Sequence, residues 1–103
     1  MQVQNNTNQA FELLKMSYLG KLLDRMIVIE NASLLLSDNP NDPDALSALK
    51  RECHKLSGIS QSLGFKTIGE LATEIDCAIA LKNAPWQNLK PTVERLLDNM
   101  EAE

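Results

Sequence analysis

The sequence is poor in the residues that mark sheets, disulfide frameworks and large aromatic cores. Its 103 residues include four glycines, four prolines, two phenylalanines, one tyrosine and one tryptophan. So few turn-forming residues argue against an all-β fold, which needs many tight turns. Two cysteines, Cys53 and Cys77, are too few for a disulfide framework. With a single histidine and no C-x-x-C pair, the sequence predicts no metal site.

Excess positive charge, long apolar runs and leader-like segments are also missing. The net charge is −4, whereas a surface that binds nucleic acid is usually basic. No apolar run approaches the roughly 20 residues that span a bilayer. The opening residues, MQVQNNTNQ, have neither the basic start nor the apolar run of a secretory leader. We therefore expect a cytoplasmic protein with reduced thiols that binds neither membranes nor nucleic acid.

The amino-acid composition of the chain is typical of packed helices. Hydrophobic residues make up 44% of it, mostly Leu, Ala and Ile, and its length fits a single domain over residues 1–103. Residues 1–8 are polar, and we expect them to be flexible. Apolar residues then follow helical spacing from Phe11 to Leu36. Gly20 interrupts this run and can split off a short N-terminal helix that begins near Gln9.

The next two helices have recognisable start and stop signals. A proline-containing stretch, SDNPNDP, ends the first long helix, and Asp42 at its end is predicted to cap the next one. Gly64 is predicted to end that helix. The pattern Thr67-x-x-Glu70 is a capping box that predicts the start of a fourth helix, which Asn83 ends.

The last helix is predicted to begin near Leu89, with Asn88 as its cap. Pro91 is then its third residue, whose N–H would have no partner inside the helix in any case. Short connections between helices make sequential neighbours antiparallel. The predicted fold is therefore all-α, an antiparallel up-down four-helix bundle with room for a short extra N-terminal helix.

The only histidine lies in the middle of the predicted helix that Asp42 caps. Six residues of that helix recur at spacings of three and four and form an inward stripe: Leu46, Leu49, Cys53, Leu56, Ser60 and Leu63. At about 100° per residue, His54 points roughly 130° away from the mean direction of this stripe. The imidazole is therefore predicted to face solvent. Cys53 is predicted to be a small core residue, and Cys77 an inert surface thiol.

The helical neighbours of His54 suit the binding of a phosphoryl group. Side chains three and four positions apart are neighbours on a helix. Together with an adjacent lysine and a glutamine one turn further on, these neighbours are Lys50, Arg51, Lys55, Ser57, Gly58 and Gln61. Imidazole is a nucleophile near neutral pH, and nearby cations favour its neutral form. The cations, the hydroxyl and the amide can donate to phosphoryl oxygens, and the glycine leaves room for a partner's backbone.

The string from His54 to Gly64, HKLSGISQSLG, resembles the signature of histidine-containing phosphotransfer (HPt) domains. In that family the phosphorylated histidine is followed by an apolar residue at the second position and by glycines at the fourth and tenth. Leu56, Gly58 and Gly64 match those positions. The chain length, the four-helix organisation and a tryptophan before the last helix, Trp86, also agree with the family.

The resemblance implies a phosphoryl carrier in a phosphorelay rather than an enzyme. His54 would accept a phosphoryl group at Nε2 from the phosphoaspartate of a receiver domain and pass it to an aspartate on another receiver. The partners would be receiver domains of a hybrid sensor kinase or a response regulator. The receiver would bring Mg²⁺, so the chain itself needs no cofactor. We see no glycine-rich phosphate loop or kinase motif, and we expect a monomer.

Two features leave alternatives open. The family commonly has lysine three residues after the histidine, where this chain has Ser57, so that Lys50 or Lys55 would have to supply the positive charge. Val28 and Leu35 lie off the main apolar face of their helix, and either another helix covers them or they form an apolar docking patch. The alternative to a phosphorelay intermediate is a four-helix interaction module that docks a receiver-like partner without being phosphorylated.

Overall fold

The computed structural model describes residues 2–103, with side chains from residue 9 onward, and contains five helices. They are α1 (Gln2–Gly20), α2 (Leu22–Asp38), α3 (Pro43–Ser62), α4 (Lys66–Lys82) and α5 (Trp86–Glu101). From α2 to α5 each helix packs against the next, and α5 packs against α2, which closes a ring of four helices. The predicted all-α bundle is therefore confirmed. Within the described residues, no helix is both long and apolar enough to cross a bilayer.

The first two helices form one nearly continuous rod. Lys21, between them, keeps right-handed helical dihedral angles, and its N–H donates to the Ser17 carbonyl at 3.2 Å. The Arg25 N–H donates in turn to the Lys21 carbonyl at 3.1 Å. A straight helix of residues 2–38 would span about 55 Å at about 1.5 Å per residue, and the longest dimension of the molecule is 55 Å. α1 therefore projects beyond the bundle, and it meets α2 near Gly20, as the sequence predicted.

The predicted start of α1 near Gln9 was wrong, because the helix begins at Gln2. Residue 1 and the side chains of residues 2–8 lie outside what the structure describes, and only the helical backbone of residues 2–8 is described. The flexibility of residues 1–8 therefore stays a prediction.

Tyr18 anchors the C-terminal end of α1 to the bundle. Its ring stacks on Phe65 with a centroid distance of 4.6 Å, and its hydroxyl shares a buried hydrogen bond of 2.8 Å with the hydroxyl of Ser60. Burial raises the pKa of Tyr18 above its ordinary value, while the Ser60 hydrogen bond and the Arg25 charge act in the opposite direction. Lys15 lies over the Phe65 ring, 5.8 Å from its centroid. These contacts attach the rod to the end of the bundle at which α3 ends and α4 begins.

The predicted start and stop signals of α3 are confirmed. The side chain of Asp42 accepts hydrogen bonds from the backbone N–H groups of Asp44 and Ala45 at 3.0 and 3.1 Å, and Pro43 is the first helical residue. Gly64 adopts a positive φ of 90°, which glycine does readily, and the chain turns there. Both ends of α3 are set by local sequence signals. The direction in which each α3 side chain points around the helix axis can therefore be worked out from its residue number, at about 100° per residue.

The predicted capping box of α4 does not form. The helix begins at Lys66, one residue before Thr67, and its N-cap position is occupied by Phe65, whose side chain caps nothing. Phe65 is held there by its stack on Tyr18, so tertiary packing rather than a local cap sets this helix start.

The predicted start of α5 at Leu89 was also wrong. The helix begins at Trp86, so Pro91 is its sixth residue rather than its third and replaces a hydrogen-bond donor inside the helix. Trp86 and Leu89 are both buried in the core, and their burial stabilises an additional turn at the start of α5. The predicted end of α4 at Asn83 is confirmed, since that residue adopts the left-handed conformation of a helix end.

Candidate functional site

His54 projects from the solvent-facing side of α3. Its side chain is 74% exposed, whereas Leu49, Cys53 and Leu56 of the same helix are fully buried. The predicted orientation of the imidazole is therefore confirmed. A mid-helix position restricts the histidine to a few rotamers, so α3 presents the ring from a rigid base.

A carboxylate on the neighbouring helix orients the imidazole ring. Nδ1 of His54 lies 2.8 Å from Oδ2 of Asp76 on α4. An ionised carboxylate only accepts hydrogen bonds, so Nδ1 is the protonated nitrogen and donates to Asp76. In the neutral ring this leaves the lone pair on Nε2, the nitrogen on the far side of the ring from Asp76. This one hydrogen bond therefore sets the tautomer of the ring and leaves Nε2 as the nitrogen that could act as a nucleophile.

Lys50 completes this small cluster. Its Nζ lies 3.8 Å from Oδ1 of Asp76, whose side chain is 15% exposed. One oxygen of Asp76 therefore faces the ring and the other faces a cation. Because Lys50 is itself 44% exposed, the ion pair is weak and serves mainly to favour one orientation of the carboxylate.

Asp76 was missed by reasoning from sequence, because it lies 22 residues after His54 on another helix. The register between α3 and α4, which brings the two residues together, is visible only in the structure. Gly69 packs on Gln61, since a Cβ at Gly69 would collide with the Gln61 side chain. In an antiparallel pair, seven residues back along α3 from Gln61 is His54, and seven residues on from Gly69 is Asp76. One close contact therefore fixes a register that pairs the histidine with the carboxylate.

The residues predicted to surround the phosphoryl group lie around His54, with one difference in orientation. Arg51, Lys55 and Gln61 are exposed on α3. Gly58 is also exposed, and a Cβ added there would meet nothing within 4 Å, so the surface is open. The hydroxyl of Ser57, however, donates to the backbone carbonyl of His54 at 3.0 Å and is directed along the helix rather than toward the ring.

Val28 and Leu35 are 39% and 52% exposed on α2. The explanation that another helix covers them is therefore wrong, and they form an open apolar patch. Val28 borders a surface cavity of about 210 Å³ between α2 and α3, to which Glu52 of α3 also contributes. An ion pair of 3.0 Å between Arg25 and Glu52 joins the two helices beside this cavity. The patch thus lies against the helix that carries His54.

The two cysteines lie where the sequence predicted them, one in the core and one at the surface, and both are free. Burial, followed by the nearby carboxylates of Asp76 and Glu52, raises the pKa of the Cys53 thiol to about 12. Cys53 is therefore an unreactive core residue, although it precedes His54 in the chain. Cys77 is exposed on α4.

The model of one protein family, described as the Hpt domain, matches residues 14–103 of the chain. The matched range contains all of α2 to α5 and the C-terminal part of α1. Domains of this family have a phosphotransfer role in two-component signalling, are phosphocarriers rather than catalytic enzymes, and interact with receiver domains in phosphorelays. Searches of curated proteins and of solved structures found no significant match.

Proposed function

Because the chain belongs to the Hpt domain family, we propose that it is a phosphorelay intermediate whose phosphoacceptor is His54. His54 takes a phosphoryl group from the phosphoaspartate of one receiver domain and gives it to an aspartate of another. The observation that carries this proposal is the 2.8 Å hydrogen bond from Nδ1 to Asp76 on a ring that is 74% exposed. The sequence contains no other histidine that could take this role. The proposal includes a cytoplasmic location, where an exposed thiol such as Cys77 stays reduced.

In the accepting step, the Nε2 lone pair of His54 attacks the phosphorus atom of the phosphoaspartate. The Nε2–P bond forms while the bond from phosphorus to the receiver's carboxylate oxygen breaks, and the carboxylate leaves with that electron pair. The ring then carries a proton on Nδ1 and the phosphoryl group on Nε2, so it is positively charged. The carboxylate of Asp76, already hydrogen-bonded to Nδ1, stabilises the charge as it develops.

The donating step is the same reaction in reverse, toward an aspartate of the second receiver. Because Asp76 holds the proton on Nδ1, the ring leaves phosphorus as neutral imidazole with its electron pair on Nε2. A ring without that proton would have to leave as an anion, which is a much poorer leaving group. In each complex the receiver supplies the Mg²⁺ that its own acidic residues bind.

The exposed groups around His54 supply charge and space for the receiver. We assign Arg51 and Lys55 to the receiver's acidic site and to phosphoryl oxygens, and Gln61 to a hydrogen bond on the same side. Gly58 admits the receiver's backbone. Ser57 has a lesser part, because its hydroxyl already donates to a backbone carbonyl. Lys50 acts through Asp76 rather than on the phosphoryl group directly.

The apolar part of the docking surface is the patch of Val28 and Leu35 on α2. These residues are two helical turns apart on one side of α2, and Val28 shares a cavity with α3. An apolar helix face of a receiver would cover them while its phosphoaspartate reaches His54. Leu35→Asp is therefore expected to weaken receiver binding by at least tenfold, as judged by titration calorimetry. Leu81→Asp is the matched control, because Leu81 is 81% exposed on a different helix. Equal weakening by both variants would contradict this docking surface.

Phosphotransfer from a receiver tests the proposal directly. The wild-type chain is incubated with a ³²P-phosphorylated receiver of a hybrid kinase and Mg²⁺, and separated by gel. We expect label that is stable to base and labile to acid, as a phosphohistidine is. His54→Gln is expected to take up none while keeping its helical circular dichroism. Label of equal amount on His54→Gln would contradict the assignment of His54.

The same experiment separates the carrier from the docking module. Addition of a second, unphosphorylated receiver should remove label from the wild-type chain, as a relay requires. A chain that binds receivers but takes up no label from any of them would contradict the carrier function and support the docking module. Lys50→Ala, Lys55→Ala and Gln61→Ala are expected to slow uptake by lesser amounts than His54→Gln.

A further inference from the structure

A second apolar face runs along the rod formed by α1 and α2, on the side opposite the residues that face the core. In α2 this face borders α5, because Ile27, Glu30 and Leu34 line a surface cavity with two α5 residues, Glu94 and Leu97. Its members follow alternate spacings of three and four residues, which is the a and d spacing of a coiled coil. This outer stripe consists of Leu13, Met16, Gly20, Leu23, Ile27, Glu30 and Leu34. Its five large apolar side chains are each between 45% and 68% exposed. The residues that face the core, such as Leu22 and Ile29, lie on the opposite side of the rod.

The outer stripe is long enough to form an interface. It spans three heptads, about 32 Å of helix at 1.5 Å per residue, which is the usual minimum for a coiled-coil seam. The molecule exposes 6609 Å² in total, and eleven of the residues between 13 and 34 are exposed and lie in the outer stripe or directly beside it. At the mean exposure per residue these eleven carry about 700 Å², comparable with the 800 Å² or so that each partner buries in a standard complex.

We propose that a second copy of this chain covers the outer stripe, in an antiparallel helix pair with a two-fold axis near residue 25. A heptad seam is complementary to another seam of the same spacing, and the second copy carries the identical one. In this register Ile27 of one copy packs on Leu23 of the other, and Leu34 packs on Met16. The five large apolar side chains are thereby removed from water. Leu13 lies at the end of the seam.

The only charged residue in the outer stripe determines the direction of pairing. A parallel pair would place the two Glu30 carboxylates opposite each other in the seam, where like charges repel. The antiparallel register places Glu30 opposite Gly20, which has no side chain and around which a Cβ would meet nothing within 4 Å. The Glu30 side chain can then extend past Gly20 to solvent.

The dimer leaves the His54 surface open. Val28 and Leu35 each follow a member of the outer stripe by one residue, so they lie about 100° around α2 from it. Each dimer would therefore present two separate receiver-docking surfaces. The proposal rests on the outer stripe alone and is independent of phosphotransfer, and it replaces the monomer expected from the sequence.

Molar mass in solution tests the proposal. By light scattering coupled to gel filtration, at concentrations up to about 200 μM, we expect twice the 11.5 kDa mass of one chain. The double variant Leu23→Glu/Ile27→Glu is expected to elute as the single chain, with unchanged helical circular dichroism and unchanged labelling of His54 by a receiver. Leu81→Glu, at an exposed apolar residue of α4, is the matched control and should keep the wild-type mass.

Three results would overturn the proposal. The first is a wild-type mass of a single chain throughout this concentration range. The second is a dimer that survives Leu23→Glu/Ile27→Glu, which would place the interface elsewhere. The third is disulfide crosslinking of Leu34→Cys to itself in a Cys77→Ser background, because the antiparallel pair separates the two copies of residue 34 by about 27 Å.

Discussion

Replacement of Asp76 is expected to slow phosphorylation of His54 without unfolding the bundle. The Asp76 carboxylate lies 2.8 Å from Nδ1 and would meet a positively charged ring once the phosphoryl group is on Nε2. A hydrogen bond to a charged group contributes about 1.5–3 kcal/mol, and the 74% exposure of His54 argues for the lower half of that range. Since about 1.4 kcal/mol is tenfold in rate, Asp76→Ala should be about 12–40-fold slower than wild type.

Asp76→Asn separates the charge of this residue from its hydrogen bond. The amide oxygen of asparagine can still accept from Nδ1, but a neutral hydrogen bond is about half as strong as a charged one. We therefore expect about a 3–6-fold loss of rate. Lys50→Ala removes a partly exposed ion pair with Asp76 that is worth at most about 1 kcal/mol, so its loss should stay below about fivefold.

The assay is the rate of label transfer from a ³²P-phosphorylated receiver, measured by rapid quench. The ¹⁵N shifts of the His54 ring provide a second measurement, because they distinguish a proton on Nδ1 from one on Nε2. Glu74→Gln is the matched control, since Glu74 is an exposed carboxylate on the same helix that accepts from Thr92 instead. A wild-type transfer rate for Asp76→Ala, or an Nε2-protonated ring in the wild-type chain, would refute the role assigned to Asp76.

Three further predictions concern the fold. At pH 8 iodoacetamide should label Cys77 but not Cys53, whose buried thiol has its pKa raised to about 12, and two labels per native chain would contradict this burial. Gly69→Ala should lower the free energy of unfolding in urea by about 1–3 kcal/mol, because the added methyl group would collide with α3. Gly58→Ala adds its methyl group in open space and should raise the free energy of unfolding by up to about 1 kcal/mol. Equal effects of the two variants would be inconsistent with the close contact between α3 and α4. Asp42→Ala should cost about 1 kcal/mol in the same assay, because two backbone N–H groups lose their acceptor, and no loss would contradict the cap.

The sequence was sufficient to predict the features that depend on local signals. The cap at Asp42, the turn at Gly64 and the spacing of the α3 stripe together predicted that His54 faces solvent and that Cys53 does not. These predictions were confirmed because each rests on residues within a few turns of one helix. The resemblance of the string from His54 to Gly64 to a known signature predicted the Hpt domain family, and the family model confirms it.

Features that depend on packing between helices were not predicted. The start of α4 is set by the stack of Phe65 on Tyr18, and these residues come from helices far apart in sequence. The early start of α5 is set by burial of Trp86 against the core. The partner of His54, Asp76, depends on the register between α3 and α4, which the contact of Gly69 with Gln61 determines. In each case the contact that determines the structure joins residues that are far apart in the sequence. The residue pattern of a single helix therefore does not reveal it.

The attachment site of the phosphoryl group is the most direct test of the central claim. The wild-type chain, phosphorylated by a receiver, is examined by ³¹P–¹⁵N correlation NMR at alkaline pH, where phosphohistidine is stable. The hydrogen bond between Nδ1 and Asp76 predicts one phosphoryl group, bonded to Nε2 of His54. A phosphoryl group on Nδ1, or on any residue other than His54, would contradict the account.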